Sequence, residues 1–133
     1  MKHWLFWPKN CWGGDDVNIK TFLRTILLVS DVINLTGDKT VHFLHAKKPI
    51  APYIEYTSYD EEGALYAEGE ELAADYYIQV DIYSKGDYTA LEDAIMEKMK
   101  SAGFARSGGA DLYEDATELY HKAMRFIFSS NTI

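Results

Sequence analysis

The segment Ala74-Asp-Tyr-Tyr-Ile-Gln-Val-Asp-Ile-Tyr83 alternates cleanly along its whole length. Tyr76, Ile78, Val80 and Ile82 fall on one face and Tyr77, Gln79, Asp81 and Tyr83 on the other, the period of a strand with a single face in the core. A second β-branched and aromatic run, Tyr53 to Tyr59, precedes it. Between the two, Asp60-Glu-Glu-Gly63 reads as a turn, Ala64 to Ala67 as a short strand or arm, and Glu68-Gly-Glu-Glu71 as acidic and glycine-broken. The spacing predicts a long acidic hairpin arm, and excursions of that length commonly carry function or partners.

Two helices flank these strands. From Asn18 to about Asp31, apolar residues fall at Ile19, Phe22, Leu23, Ile26 and Leu27, with Ile33 continuing the stripe. Asn34, Thr36, Gly37 and Asp38 mark its stop. The second helix follows Asp87 or Thr89 as N-cap and places Leu91, Ala94, Ile95, Met99 and Ala102 on one face, with Gly103 as its terminator. Thr40 to His45 reads as a short strand, and Ala46 to Pro52 as a connector in which two prolines remove ladder donors. Gly108-Gly109 is expected to turn a hairpin between Phe104–Ser107 and Ala110–Glu114, with Leu119 to Phe128 as the last strand. Tyr120, Lys122, Met124, Phe126 and Phe128 share one face of that strand, and His121, Ala123, Arg125 and Ile127 the other. This order predicts an α+β sandwich: a mostly antiparallel sheet with two helices packed on one face and a long acidic hairpin arm. The other face keeps tyrosines and charge, which makes Tyr77 and Tyr83 candidates for a subunit interface.

Length and composition set the domain count. A chain of 133 residues that is 47% hydrophobic supports one core without disulfides or metal, so a multidomain enzyme is excluded. Residues 1–16 stand apart as an N-terminal appendage with all three tryptophans, Trp4, Trp7 and Trp12, and the single cysteine, Cys11. Gly13-Gly14-Asp15-Asp16-Val17 is encodable by a purine-rich ribosome-binding stretch followed by a GTG start, so residues 1–16 are expected to be over-called leader and residues 17–133 the single domain. The alternative is an aromatic arm that packs on a neighbour. The lone cysteine fits a reducing compartment, Pro8 and Lys9 interrupt the apolar start, and no window is long enough to span a bilayer. A soluble cytoplasmic protein with no membrane partner is the expectation.

Chemistry-bearing patterns are sparse. His42 and His45 point to opposite faces of a strand, and no paired cysteines or calcium-loop spacing occur, so no metal is expected. No serine sits in a nucleophile elbow, and Gly108-Gly109 lacks the Lys-Ser/Thr of a phosphate loop, so neither catalytic residues nor a cofactor are expected. Thirteen Lys and Arg against 21 Asp and Glu give a net charge of −8, which argues against a surface that neutralises many phosphates. Seven of those acids lie between Asp60 and Asp75 with no base among them, a run that reads as a solvated face. From its residues alone the chain is a non-enzymatic α+β domain.

Taken in order, four segments resemble the tail-completion, or tail terminator, family of long-tailed bacteriophages and prophages. They are Val32-Ile-Asn-Leu-Thr-Gly-Asp-Lys39, the Pro49 to Tyr59 run with Ala51-Pro-Tyr-Ile-Glu-Tyr56, Tyr77-Ile-Gln-Val-Asp-Ile-Tyr83, and Asp87-Tyr-Thr-Ala-Leu-Glu-Asp-Ala94. No single motif is diagnostic; order and length carry the likeness over positions 18 to about 128. The resemblance implies a structural virion protein, a hexameric ring that stops tail-tube growth and joins tail to head. Its partners would be other copies of itself, the tail tube protein and the head-tail connector protein, in the virion neck and, during assembly, the host cytoplasm. DNA would pass through the lumen without specific binding. Asp60, Glu61, Glu62, Glu68, Glu70 and Glu71 are the candidates for an assembly arm or an acidic lumen, expected to be flexible in the free subunit and ordered in the ring. The alternatives are another phage head-tail connector or neck protein, and a small interaction or ligand-binding protein of a prophage.

Overall fold

The structure is a computed structural model and describes residues 19–67 and 70–131. The appendage at 1–16 and Glu68 lie outside those residues. The element order is α1 (Ile19–Leu27), α2 (Ser30–Ile33), β1 (His42–Phe43), β2 (Tyr53–Ala67), β3 (Glu70–Ser84), α3 (Thr89–Ser101), β4 (Ala105–Glu114) and β5 (Leu119–Asn131). The strands form one sheet in the order β1-β2-β3-β5-β4, antiparallel except for the parallel β1–β2 pair. The expected α+β class with a mostly antiparallel sheet is the observed one, and the two longer helices share one sheet face.

Burial follows the periodicities. Ile19, Phe22, Leu23 and Leu27 of α1 and Leu91, Ile95 and Met99 of α3 are buried against Ile54, Tyr56, Ile78, Val80, Ile82, Met124 and Phe126 of the sheet. Among the described residues β2, β3 and β5 contribute alternate residues to this core, as a one-sided sheet requires, whereas β1 and β4 at the edges contribute none. Asp87 Oδ1 accepts hydrogen bonds from the Thr89 backbone N–H at 3.0 Å and the Thr89 hydroxyl at 2.7 Å, so it caps the start of α3 from one residue outside the N-cap, Tyr88. At the other end Gly103 takes φ +102°, Gly103 N donates to Lys100 O and Phe104 N to Met99 O, the paired bonds of a Schellman stop.

Four expectations need correction. The single helix to Asp31 is two: Val29 is extended (φ −124°, ψ 152°), and its carbonyl accepts from Val32 N and Ile33 N to start α2. A β-branched residue ahead of Ser30-Asp31 favours that break, because short polar side chains compete with continued helix. The strand at Thr40 to His45 shrinks to two residues, ended where Leu44 turns to φ +68° and donates its N–H to Tyr56 O. Asp60 to Gly63 is not a turn. The β2–β3 ladder runs through the acidic segment, with Glu62 opposite Asp75 and Ala67 opposite Glu70, and absorbs register shifts between Ser58 and Asp60 and on either side of Leu65. Asp60, Glu61, Glu62, Glu70 and Glu71 therefore sit on paired backbone, and β5 flanks β3 as far as Ala73 opposite Asn131.

The last correction concerns Gly108-Gly109, which lies within β4, opposite Arg125 and Met124 of β5. A Cβ on Gly109 would meet Ala123 O at 3.1 Å and Arg106 Nη2 at 2.8 Å, so the residue serves a close approach between strands. The chain reverses instead at 115–118, where Glu118 takes φ +58° and donates its N–H to Glu114 O at 2.8 Å.

Candidate functional site

Helices cover one face of the sheet, and among the described residues no helix covers the other. That open face is built by register. Tyr53 lies opposite Tyr83 and Tyr83 opposite His121; two rungs along, Asp81 lies opposite Glu55 and Ala123, and Gln79 opposite Arg125. Side chains in such rows stand about 5 Å apart and must interact.

They form one continuous network. Tyr53 and Tyr83 stack at 4.9 Å between ring centroids, and Tyr83 stacks on His121 at 4.3 Å. His121 Nε2 is 2.7 Å from Asp81 Oδ1, and Gln79 Nε2 donates to the same carboxylate at 2.9 and 3.2 Å. Arg125 Nε donates to Gln79 Oε1 at 3.0 Å, and its guanidinium lies 4.7 Å from the Tyr59 ring centre. Tyr59 in turn meets Tyr77 at 5.9 Å. The Asp81 side chain is only 9% exposed although it stands on the open face, because its neighbours close over it. Burial, then the nearby carboxylates of Glu55 and Asp81, push the Tyr83 hydroxyl far above the ordinary tyrosine value. Burial, then Glu55 and Glu114, raise Tyr53 as well. Beside this row a shallow trough of about 450 Å³ is floored by Gly108, Ala110 and Ala123 and walled by Leu112, His121 and Arg125.

A second polar cluster joins α3 to the sheet. Lys122 points to the helical face with Met124 and Phe126 and is 6% exposed. Its Nζ lies 3.2 Å from Asp111 and 3.5 Å from Glu92. The Tyr88 hydroxyl donates to Asp111 Oδ1 at 2.6 Å. That bond, then the one from Lys122, holds the Asp111 carboxyl below its usual value, and the same contact raises Tyr88 to about 12. A third feature is apolar: a groove of about 380 Å³ between α1 and α3, lined by Phe22, Ile26, Val29 and Ala102.

Of the residues singled out from sequence, Tyr77 and Tyr83 lie on the open face at opposite ends of the network. The acidic residues on β2 and β3 lie further along the same hairpin. Sequence reasoning missed Tyr53, Tyr59, His121 and Arg125 as partners of those tyrosines. Their alternation was visible, but the strand register that brings these separate segments into one row was not. Among the described residues no group of His, Cys, Asp or Glu is placed to hold a metal ion, and no helix is long and apolar enough to cross a membrane. The network offers hydrogen-bond donors, acceptors and aromatic surface along one face of the sheet. No family model matches the chain, and no curated protein matches it.

Proposed function

We propose that this chain is a tail-completion protein of a long-tailed phage or prophage: a structural subunit that assembles into a ring on the end of the tail tube, halts its growth and joins the tail to the head connector. The reading rests on the ordered likeness of its segments, and one geometric observation supports it. Among the described residues helices cover only one face of the sheet, and the other is a tyrosine, arginine and glutamine surface. Such composition is enriched where subunits meet. The acidic run from Asp60 to Asp75 suits a channel through which DNA slides, since like charge prevents phosphate binding.

The test is to purify particles from the source phage and quantify the protein against the tail tube subunit by mass spectrometry, with labelling to locate it. One ring's complement at the neck is expected, and particles made without the protein should carry tails that fail to join heads. Intact, infectious particles that lack the protein would overturn the assignment.

A further inference from the structure

The two edges of the sheet differ in a way that pairs them with each other. At one edge, β1 ends at Phe43, and Leu44 just beyond it is held at φ +68°, a backbone region that costs a leucine on the order of 1 kcal/mol. The turn is held by the Leu44 N–H donating to Tyr56 O at 2.9 Å and the His45 N–H donating to Phe43 O at 2.7 Å, and it leaves Leu44 62% exposed. The stretch from Lys39 to Lys48 holds three lysines and two histidines and no acid, and His45, Lys47 and Lys48 are exposed. At the other edge, β4 exposes Leu112 and Tyr113, at 48% and 50%. The stretch from Asp111 to Glu118 holds four acids and no base, with Asp115 and Glu118 exposed in the turn. Asp38 pairs with His42 and Glu55 accepts from Ala46 N at the first edge, and Lys122 pairs with Asp111 at the second, so the exposed charges that differ between the edges are Lys47 and Lys48 on one and Asp115 and Glu118 on the other, opposite in sign.

We infer that these edges are the two halves of one head-to-tail contact, in which the Leu44 edge of one copy seats on the β4–β5 turn of the next. A second copy is the partner that satisfies both edges at once, because each chain carries both. Two unlike patches on one chain make a heterologous contact, which closes into a ring when the rotation between copies permits. The complementary charges set register and speed encounter, and Leu44 and Leu112 supply the desolvated centre. The inference deepens the ring reading by naming its surfaces. It is tested on the purified full chain, so its failure is separable from that of the phage assignment, which particle composition decides.

The experiment is sedimentation velocity of the full chain over a concentration and salt series, on four proteins with folding checked by circular dichroism. The unsubstituted chain should self-associate, more weakly as salt rises. Lys47→Glu with Lys48→Glu, and separately Asp115→Lys with Glu118→Lys, should each weaken association by about tenfold or more, since each sets like charges against each other. Both pairs in one chain restore opposite signs and should return association to within about threefold of the original. A chain that stays monomeric to about 100 µM overturns the inference, as does an assembly that neither charge reversal weakens. Failure of the combined variant to recover, while it remains folded, also overturns it.

Discussion

Gly37 and Gly108 show how much a single hydrogen in place of a side chain means at two sites. A Cβ on Gly37 would lie 2.5 Å from Ile50 O and 2.6 Å from Ala51 O, where the connector before β2 crosses the end of the α2 turn and Gly37 N donates to Pro52 O. Nothing lies within 4 Å of a Cβ on Gly108. Gly37→Ala is therefore expected to destabilise by about 1–3 kcal/mol, the scale of forced overpacking against backbone. Gly108→Ala should be neutral or stabilising by roughly 0.5 kcal/mol, because a strand glycine loses more entropy on folding than alanine. Urea unfolding midpoints of the two variants check both signs, and equal losses would contradict the placement of the connector.

At the scale of elements, the Lys122 cluster fixes α3 to β4 and β5. An ammonium this buried is tolerated because Asp111 and Glu92 face it. Removing the cation leaves two carboxylates that reach solvent, whereas neutralising both acids leaves an unpaired buried charge. Lys122→Met is expected to change stability by less than about 1 kcal/mol, and Asp111→Asn with Glu92→Gln to cost about 3 kcal/mol or more. Chemical denaturation reads the asymmetry, and a larger loss in the methionine variant would refute it. This cluster also shows what was legible beforehand. The apolar periods of α1, α3, β3 and β5 were enough to place twelve of the seventeen buried core residues among those described, since burial on one face writes itself into local spacing. Lys122 was seen on the core face of β5 but not explained, because its partners come from α3 and β4. Gly108-Gly109 misled for a related reason: turn chemistry and close approach between strands both select glycine, and only the neighbouring strand distinguishes them. The open-face network was illegible for the same cause, its rows being set by register between distant segments.

For the whole molecule, the shifted hydroxyls make stability depend on alkaline pH. Tyr83 and Tyr53 are raised above 10.0 by burial first, and Tyr88 is raised to about 12 by its bond to Asp111. Each group holds its proton more tightly folded than unfolded, so its stabilisation is complete below the ordinary tyrosine value. It is lost as pH climbs above that value toward the folded one. Urea midpoints should hold level to about pH 10 and then fall, and Tyr83→Phe should shallow the fall; an unchanged slope in that variant would remove Tyr83 as a cause. The sheet order has its own consequence for how the chain is made. The last strand in sequence, β5, is inserted between β3 and β4, so β3 has a partner on only one side until residues near 131 have been synthesised. Residues up to about 131 must leave the ribosome before the sheet can close, and until then one edge of β3 is open to other chains. A sheet wired this way closes by late, long-range pairing, the slow and aggregation-exposed route.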